Sequence, residues 1–526
     1  MWDPLRRMVS IGLLITLLFP AWALSQKQAT GTKGMVVSPT PEATDAGVEI
    51  LRMGGNAVDA AAAAAFALMV TDPGMSSVGG RAQILVRLAD GTVAGIDGAT
   101  QVPALAADPA RVGHGYRTCP VPGGPLAIQR MVARYGTLPM KVLLQPAIRL
   151  AREGFVIKKD YHGFFRRAGK LFRLYPGTAR YFLKKDGSFY SEGEVFKQPA
   201  LARTLEVLAE RGAESLYRGE LAEAILRDMR EHGGLIRRED LERYRTYPGE
   251  IVEGNYRGFR VIGRGDQCNG ASVIEMLQIL QQFRPQQLAA DPARFYHLFA
   301  QATYLGLLDT YLFDWIQVSP VLAMRRAREI DPDRALPVPV RPAPPEEAGW
   351  TTHLSVVDGE GNAAAVTQSI GPVFGSKVVN PELGFFYAYS YRMNDAALPL
   401  SRDKTNQSPT MVLRGDRLFM VLGAAGGMRI PMAIAATIVN VIDRKMDLFR
   451  AVAAPRVFLS SGALSVETAD MPAPVLSDLT QMGYKLRRFE GRHPLFAKVQ
   501  AVLIDTLSGR RYGASDPRDY GKAAGF

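Results

Sequence analysis

The chain has 526 residues, 47% of them hydrophobic, and a formal net charge of +12. This composition supports a large folded core and excludes a disordered or fibrous chain. The basic residues are dispersed and no recognition motif accompanies them, so the charge indicates a solvated basic surface and no nucleic-acid partner. Two cysteines exclude a disulfide-built fold but leave open whether Cys119 and Cys268 are bonded. The six histidines lack ligand spacing, so no metal and no cofactor is expected.

Residues 1–25 have the pattern of a secretory signal. Arg6 and Arg7 precede a short apolar run, and small residues ending at Ser25 come just before Gln26. The apolar run is shorter than the roughly 20 residues that a membrane span needs. We therefore expect an exported protein, periplasmic or secreted, without a transmembrane anchor.

Helical and extended patterns alternate along the rest of the large N-terminal part. A Gly-Gly-Asn break at 54–56 separates two helical segments, and the second is alanine-rich and predicted to be buried. Short strands are expected near 84–88 and 93–97. Mostly amphipathic helices follow over 126–226, with further helices over 271–283 and 293–313. No internal repeat is present, which favours one continuous body over independent domains.

A Pro-rich, charged arm at 331–350 is not expected to pack as regular structure. It ends where two extended runs begin around the turn-forming segment 358–362. Antiparallel pairing around this turn places Thr351 opposite Ser369 and His353 opposite Thr367, within side-chain reach. A slip of one residue would exchange the two faces. Hydroxyls on one face of a hairpin also occur in sheets that have no catalytic role.

A flexible arm that ends beside a hydroxyl is the arrangement that a self-cleaving precursor requires. Cleavage between Trp350 and Thr351 would free an N-terminal threonine and detach the arm. The α-amine, with an unperturbed pKa of about 7.7–8.0, can serve as the base for the threonine hydroxyl. From the pattern alone, Thr352 remains a second candidate for the new terminus.

Several stretches together resemble one family. The run TTHLSVVDGEGNAAAVT, from residue 351, looks like the start of the small subunit of γ-glutamyltransferases (γ-glutamyltranspeptidases), in the N-terminal nucleophile hydrolase class. Further resemblances occur in order along the chain, at 54–60, 135–139, 217–219, 423–429 and 512–518. The resemblance implies an α/β (α+β) fold, a four-layer αββα sandwich cut from one precursor into a large subunit, 26–350, and a small subunit, 351–526.

The resemblance also implies a reaction centre, and it prefers Thr351 to Thr352 as the nucleophile. Ser369, with Thr367 as a further candidate, would hydrogen-bond the nucleophile. The glycine turn at Gly426 and Gly427 precedes an apolar helix expected over 430–442. Backbone N–H groups at such a turn point at an anion and suit an oxyanion.

The substrate-binding positions depart from the family pattern. Ala99 aligns with an arginine that holds the α-carboxylate of a glutamyl group, and a bidentate guanidinium contact is difficult to replace. Thr405 and Asn406 replace a serine pair and could still donate hydrogen bonds. Arg392 replaces a residue that grips the α-amine and could bind a different acid. Arg81 interrupts what is usually a longer glycine run.

These features imply a self-processed Thr-nucleophile amidohydrolase or acyltransferase. By the family default it would hydrolyse or transfer the γ-glutamyl group of glutathione or related amides, with water or an amine as acceptor. The altered pocket keeps two alternatives open. One is an acylase of the cephalosporin-acylase kind, acting on acyl groups without an α-amino acid head. The other is a self-processed but inactive envelope protein that binds a ligand.

Overall fold

The computed structural model describes residues 26–105, 113–312, 318–339, 350–389 and 398–526. The expected signal segment, half of the Pro-rich arm (340–349) and Arg392 lie outside the described residues. At 331–339 the arm contains neither helix nor strand, as predicted, whereas its last residue, Trp350, begins a strand.

Most of the strands belong to two seven-stranded antiparallel sheets. In chain order the strands are β1 (Gln28–Gly31), β2 (Gly34–Ser38), β3 (Arg81–Arg87), β4 (Val93–Gly98), β5 (Phe155–Val156), β6 (Val195–Phe196), β7 (Tyr247–Gly249), β8 (Ile251–Tyr256), β9 (Phe259–Arg264), β10 (Trp350–Asp358), β11 (Ala363–Gly371), β12 (Thr410–Arg414), β13 (Arg417–Ala425), β14 (Val457–Ser460), β15 (Ala463–Glu467), β16 (Leu486–Phe489), β17 (Lys498–Ile504), β18 (Arg511–Ser515) and β19 (Lys522–Gly525). The first sheet has the order β19-β2-β10-β11-β3-β4-β7 and the second β1-β18-β17-β13-β12-β9-β8. Two small sheets, β14-β15-β16 and β5-β6, lie outside them.

Helices cover the outer faces of both large sheets. They span Pro41–Arg52, Ala57–Thr71, Gly124–Tyr135, Met140–Leu143, Gln145–Glu153, Lys159–Phe172, Pro176–Phe182, Pro199–Arg211, Glu220–Glu231, Arg238–Arg243, Gly270–Gln281, Pro285–Ala289, Pro292–Leu312, Pro320–Glu329, Ile430–Ile442, Leu448–Ala453 and Ala473–Gln481. One apolar core lies between the first sheet and its helices, and another between the second sheet and its helices. A third, smaller core joins the facing sides of the two sheets. The four-layer αββα prediction is therefore confirmed.

The predicted alanine-rich helix is confirmed as a fully buried element at Ala57–Thr71. Asn56 caps it, because the Asn56 side-chain oxygen accepts from the N–H groups of Val58 and Asp59. Asp358, the last residue of β10, accepts a further hydrogen bond from Ala57 N at 2.9 Å. The start of the central helix is thus tied to the turn of the β10–β11 hairpin.

The described residues answer the question of the two cysteines. Cys119 and Cys268 are both buried and are not joined by a disulfide. Burial raises the pKa of both thiols, which makes them poor nucleophiles. No helix in the described part of the chain is long and apolar enough to cross a membrane.

Candidate active site

The predicted hairpin is confirmed as β10 and β11, with His353 directly opposite Thr367. The regular register ends at Thr352, and the pairing shifts by one residue before Trp350, which pairs with Gly371. Thr351 therefore lies in an irregularity of the ladder. The Asp358 carboxylate closes the turn by accepting backbone N–H groups of the residues that follow it.

Thr351 and Ser369 lie side by side, as the hairpin register predicts. The Thr351 Oγ1 and Ser369 Oγ atoms are 3.5 Å apart, and Thr351 is 7% exposed. Ser369 Oγ also accepts from Gly371 N at 3.0 Å. A separation of 3.5 Å is long for an O–H···O hydrogen bond, whose usual length is about 2.7–2.8 Å. The two hydroxyls are thus near each other, at a distance longer than that of a usual O–H···O hydrogen bond.

A small cavity borders Thr351. Its volume is about 30 Å³. Lys158 and Lys498 contribute charged groups to its wall, with Asp519 lying 3.5 Å from Lys498.

The predicted glycine turn is present at the end of β13. Gly426 and Gly427 have φ angles of 149° and 61°, which favour glycine, and the apolar helix Ile430–Ile442 follows. Ala425, the last residue of β13, pairs with Lys498 on β17, and Lys498 borders the Thr351 cavity. The glycine turn therefore begins one residue after Ala425, whose partner on β17 lines the cavity.

The side chain of His353 lies between its own strand, β10, and β13, the strand that leads to this turn. Its ring is fully buried, with Nδ1 2.8 Å from Thr367 Oγ1 and Nε2 3.0 Å from Ser355 Oγ. Because Ser355 donates its proton to the Gln500 carbonyl, the ring donates through Nε2 and accepts through Nδ1. A Cβ on Gly423 would lie 2.3 Å from the ring, so β13 packs directly on the imidazole. The Thr367 hydroxyl is thus held by His353 and not by Thr351.

The buried imidazole predicts a specific pH dependence of stability. Burial lowers the pKa of His353 to about 3, whereas an unfolded histidine titrates near 6.5. Below pH 6.5 the imidazole is protonated in the unfolded chain but stays neutral in the folded chain. The free energy of unfolding therefore falls as the pH falls towards 3. Between pH 7 and pH 4 this amounts to about 3 kcal/mol.

We expect urea unfolding of uncut Thr351→Ala protein to show this loss, and unfolding of the double variant Thr351→Ala/His353→Gln to show a shallower pH dependence. Other groups titrate equally in both proteins, so the difference isolates His353. Equal pH slopes would contradict the assignment.

The substrate-binding candidates are all buried where they are described. Thr405 Oγ1 donates to the Gln267 carbonyl at 3.1 Å, and Asn406 Oδ1 accepts from Asn269 at 2.9 Å. Ala99 is completely buried and offers only its backbone, which accepts from the Tyr244 hydroxyl at 2.6 Å. Position 99 therefore supplies no cation to a substrate.

Sequence reasoning missed two contacts that bind the 403–407 segment to β11 and to its neighbour β3. Gln407 Nε2 donates to the Thr367 carbonyl at 3.0 Å, and Arg81 forms an ion pair with Asp403 at 2.6 Å. Arg81 stands out in the sequence as a break in the glycine run, but nothing in the sequence pairs it with Asp403. The segment that carries Thr405 thus lies along β11.

The C-terminal motif supports the strand that borders the cavity. Asp516 Oδ2 accepts from Val499 N at 2.9 Å and pairs with Arg456 at 2.7 Å. Burial alone would raise the pKa of this carboxyl, but Arg456 and Arg518 lower it to about 2. The start of β17, beside Lys498, is therefore fixed by a permanently ionised network.

Comparison with known proteins gives one consistent result. The model of the gamma-glutamyltranspeptidase family matches residues 43–526. A glutathione hydrolase proenzyme of Escherichia coli (strain K12) is 30% identical over 532 residues, which cover 92% of this chain and 90% of the relative. An acylase ACY 1 proenzyme of Pseudomonas sp. (strain SE83) is 34% identical over 500 residues, covering 88% and 89% of the two chains. A solved cephalosporin acylase from Bacillus halodurans covers 100% of this chain and 99% of its own, with a TM-score of 0.85 and 27% identity.

Proposed function

This chain belongs to the γ-glutamyltranspeptidase family and is an amidohydrolase of that class, and we propose that Thr351 is its nucleophile, freed by self-cleavage after Trp350. The observation that carries the proposal is the position of the Thr351 hydroxyl. It lies 3.5 Å from Ser369, beside a cavity whose wall leads to the Gly426 turn. The curated relatives named above are proenzymes, which supports a precursor cut into subunits 26–350 and 351–526.

Self-cleavage would begin with attack of the Thr351 hydroxyl on the carbonyl carbon of Trp350. The bond from that carbon to the Thr351 nitrogen breaks, the nitrogen takes up a proton, and an ester to Oγ1 forms. Water then hydrolyses the ester, which leaves a carboxylate on Trp350 and a free amine on Thr351. Ser369 is the group placed to hydrogen-bond the attacking oxygen.

In the mature enzyme one residue would supply both nucleophile and base. The neutral α-amine of Thr351 takes the proton of its own hydroxyl, and the oxygen attacks the amide carbonyl of the substrate. The N–H groups of Gly426 and Gly427 stabilise the negative oxygen of the tetrahedral intermediate. The amine then returns the proton to the departing nitrogen. Water or an acceptor amine releases the acyl group from the ester.

The first substrate class we propose is γ-glutamyl amides, glutathione included, because the Escherichia coli relative is named a glutathione hydrolase proenzyme. A second candidate, acyl amides without an α-amino acid head, is supported by relatives named acylases. The burial of Ala99 also supports it, since position 99 offers no cation to an α-carboxylate.

We further propose that residues 1–25 are removed on export. The two residues that follow this segment are bound to the C-terminal strands. The Gln26 carbonyl accepts from Ala523 N at 2.9 Å, and the Lys27 carbonyl accepts from Ser515 N at 2.8 Å. A chain that starts at residue 26 would keep both contacts.

A substrate screen on purified, processed protein tests the proposal. We expect release of p-nitroaniline from the γ-glutamyl or the glutaryl anilide, and the better substrate separates the two classes. With glycylglycine added as acceptor, hydrolysis releases the free acid, whereas transfer forms the acylated dipeptide in its place. Processed protein that turns over no amide would contradict the catalytic role and favour a ligand-binding protein.

A further inference from the structure

Arg81 occupies a position beside the proposed reaction centre that the mechanism leaves unused. It is the first residue of β3 and lies directly opposite Ser369 on β11. The next residue of β3, Ala82, pairs with Gly98, so Arg81 also adjoins Ala99 at the end of β4. Adjacent strands lie roughly 4.8 Å apart, so the Cα of Arg81 is two strand spacings, roughly 10 Å, from the strand of Thr351.

Neighbouring groups hold the guanidinium of Arg81 in place. Arg81 Nη1 lies 2.6 Å from Asp403 Oδ2, and the two side chains are 10% and 9% exposed. Thr100 Oγ1 donates to the same carboxylate oxygen at 3.1 Å. Because the carboxylate that holds this buried cation is itself hydrogen-bonded, the arginine side chain has lost most of its conformational freedom before any substrate binds.

Asp403 connects this arginine to the wall that carries the other polar candidates. Thr405 and Asn406 follow it in the same loop, and Gln407 fastens the loop to the Thr367 carbonyl of β11. Asp403, Thr405 and Asn406 therefore belong to one loop that is bound to both β3 and β11. Arg81, where this loop meets β3, borders Ser369 on the side away from β10.

We propose that Arg81 binds a carboxylate at the far end of the acyl group that is transferred to Thr351. This inference rests on Thr351 being the nucleophile. A guanidinium has five N–H donors in one plane and can serve two carboxylates at once, here Asp403 and the substrate. A glutaryl or γ-glutamyl group carries its carboxylate three carbons beyond the reacting carbonyl. That length, with the long arginine side chain, spans the two strand spacings.

The lysines beside Thr351 are less suited to the same task. Lys158 and Lys498 line the small cavity, but so do Glu42, Asp72 and Asp519. Acidic groups therefore outnumber basic ones in that wall, and an added carboxylate would be repelled. The guanidinium of Arg81 lies outside this wall and is held by Asp403.

Three p-nitroanilides test the proposal because they differ only in the groups at the end of the acyl chain. The γ-glutamyl compound has a carboxylate and an amine, the glutaryl compound has the carboxylate alone, and the butyryl compound has neither. For Arg81→Gln we expect kcat/KM to fall about 100-fold with both carboxylate substrates, as for loss of one partner of a buried charge pair. With the butyryl compound we expect a change of less than about threefold. Arg81→Lys keeps the charge but loses the fork, so its loss should be intermediate.

Arg87→Gln is the matched control. Arg87 lies on the same face and the same strand as Arg81, is 7% exposed, and donates to the Asp416 carbonyl at the other end of β3. It should lower activity with the three substrates equally or not at all. Processing into two subunits reports that each variant has folded.

Equal losses with all three substrates in Arg81→Gln would overturn the proposal, as would a wild-type enzyme that prefers the butyryl compound. Both results leave Thr351 as nucleophile intact, since amide hydrolysis would still occur. Absence of processing and of all amide hydrolysis in wild type would instead contradict the proposed function itself.

Discussion

Replacing Thr351 with alanine is expected to leave a single uncut chain without amidase activity. The variant lacks the Thr351 hydroxyl, which lies 3.5 Å from Ser369. No other group in the proposed mechanism replaces this hydroxyl. The peptide bond after Trp350 then stays intact, no N-terminal amine forms, and both nucleophile and base are missing. Gel electrophoresis gives the first readout and p-nitroanilide hydrolysis the second, which should fall to the background rate.

Two further variants separate catalysis from general damage. Thr351→Ser keeps a hydroxyl and should be processed, although more slowly. Thr352→Val removes a neighbouring hydroxyl whose oxygen is buried and has no hydrogen-bond partner among the described residues. Valine has nearly the same shape, so this variant should be processed and active with unchanged or higher stability. Cleavage of Thr351→Ala at Trp350, or failure of Thr352→Val alone, would contradict the assignment.

Gly426→Ala is expected to lower kcat by about 100-fold or more while the protein still folds. A Cβ at this position would lie 2.5 Å from the Ala497 Cα and 2.6 Å from its Cβ, and the φ of 149° disfavours any side chain. The turn must therefore move away from β17. Its N–H groups then no longer point at the position of the developing oxyanion, which costs roughly 3–4 kcal/mol for one lost donor.

Gly491→Ala controls for the backbone cost of a side chain at positive φ. Gly491 has a φ of 68°, but no atom lies within 4 Å of its Cβ position. We expect a modest loss of stability and an unchanged kcat for this variant. If Gly426→Ala kept the wild-type kcat, the turn would have no part in stabilising the oxyanion.

The sequence predicted those parts of the fold that depend on local patterns. The helix at 430–442 and the hairpin around 358–362 follow from apolar spacing and turn residues close together in the chain. The pairing of His353 with Thr367 follows from the turn centre, because antiparallel strands leave one register once the turn is fixed. The irregularity at Thr351 could not be predicted, because nothing in the local pattern requires a shift there.

Contacts between distant segments could not be predicted from one sequence. Arg81 and Asp403 are 322 positions apart, and Gln407 reaches a carbonyl 40 positions away. The packing of the His353 ring between the two sheets could not be predicted either, because the ring contacts Gly423 of the other sheet. Such pairs depend on how the two sheets stack, which periodicity does not specify.

The assignment of specificity changes once these contacts are known. Ala99 indicates from sequence that a carboxylate-binding group is lost. In the folded chain a guanidinium stands at the adjoining position of the next strand, in Arg81. A change at one position of a pocket is therefore best judged together with the residues that face it across the sheet.

The mass of the smaller fragment of purified wild-type protein tests the central claim most directly. We predict two fragments after expression, with the smaller one beginning at Thr351 and carrying a free α-amine. A fragment beginning at Thr352 or elsewhere, or a chain that stays whole on prolonged incubation, would contradict the claim that Thr351 becomes the catalytic terminus.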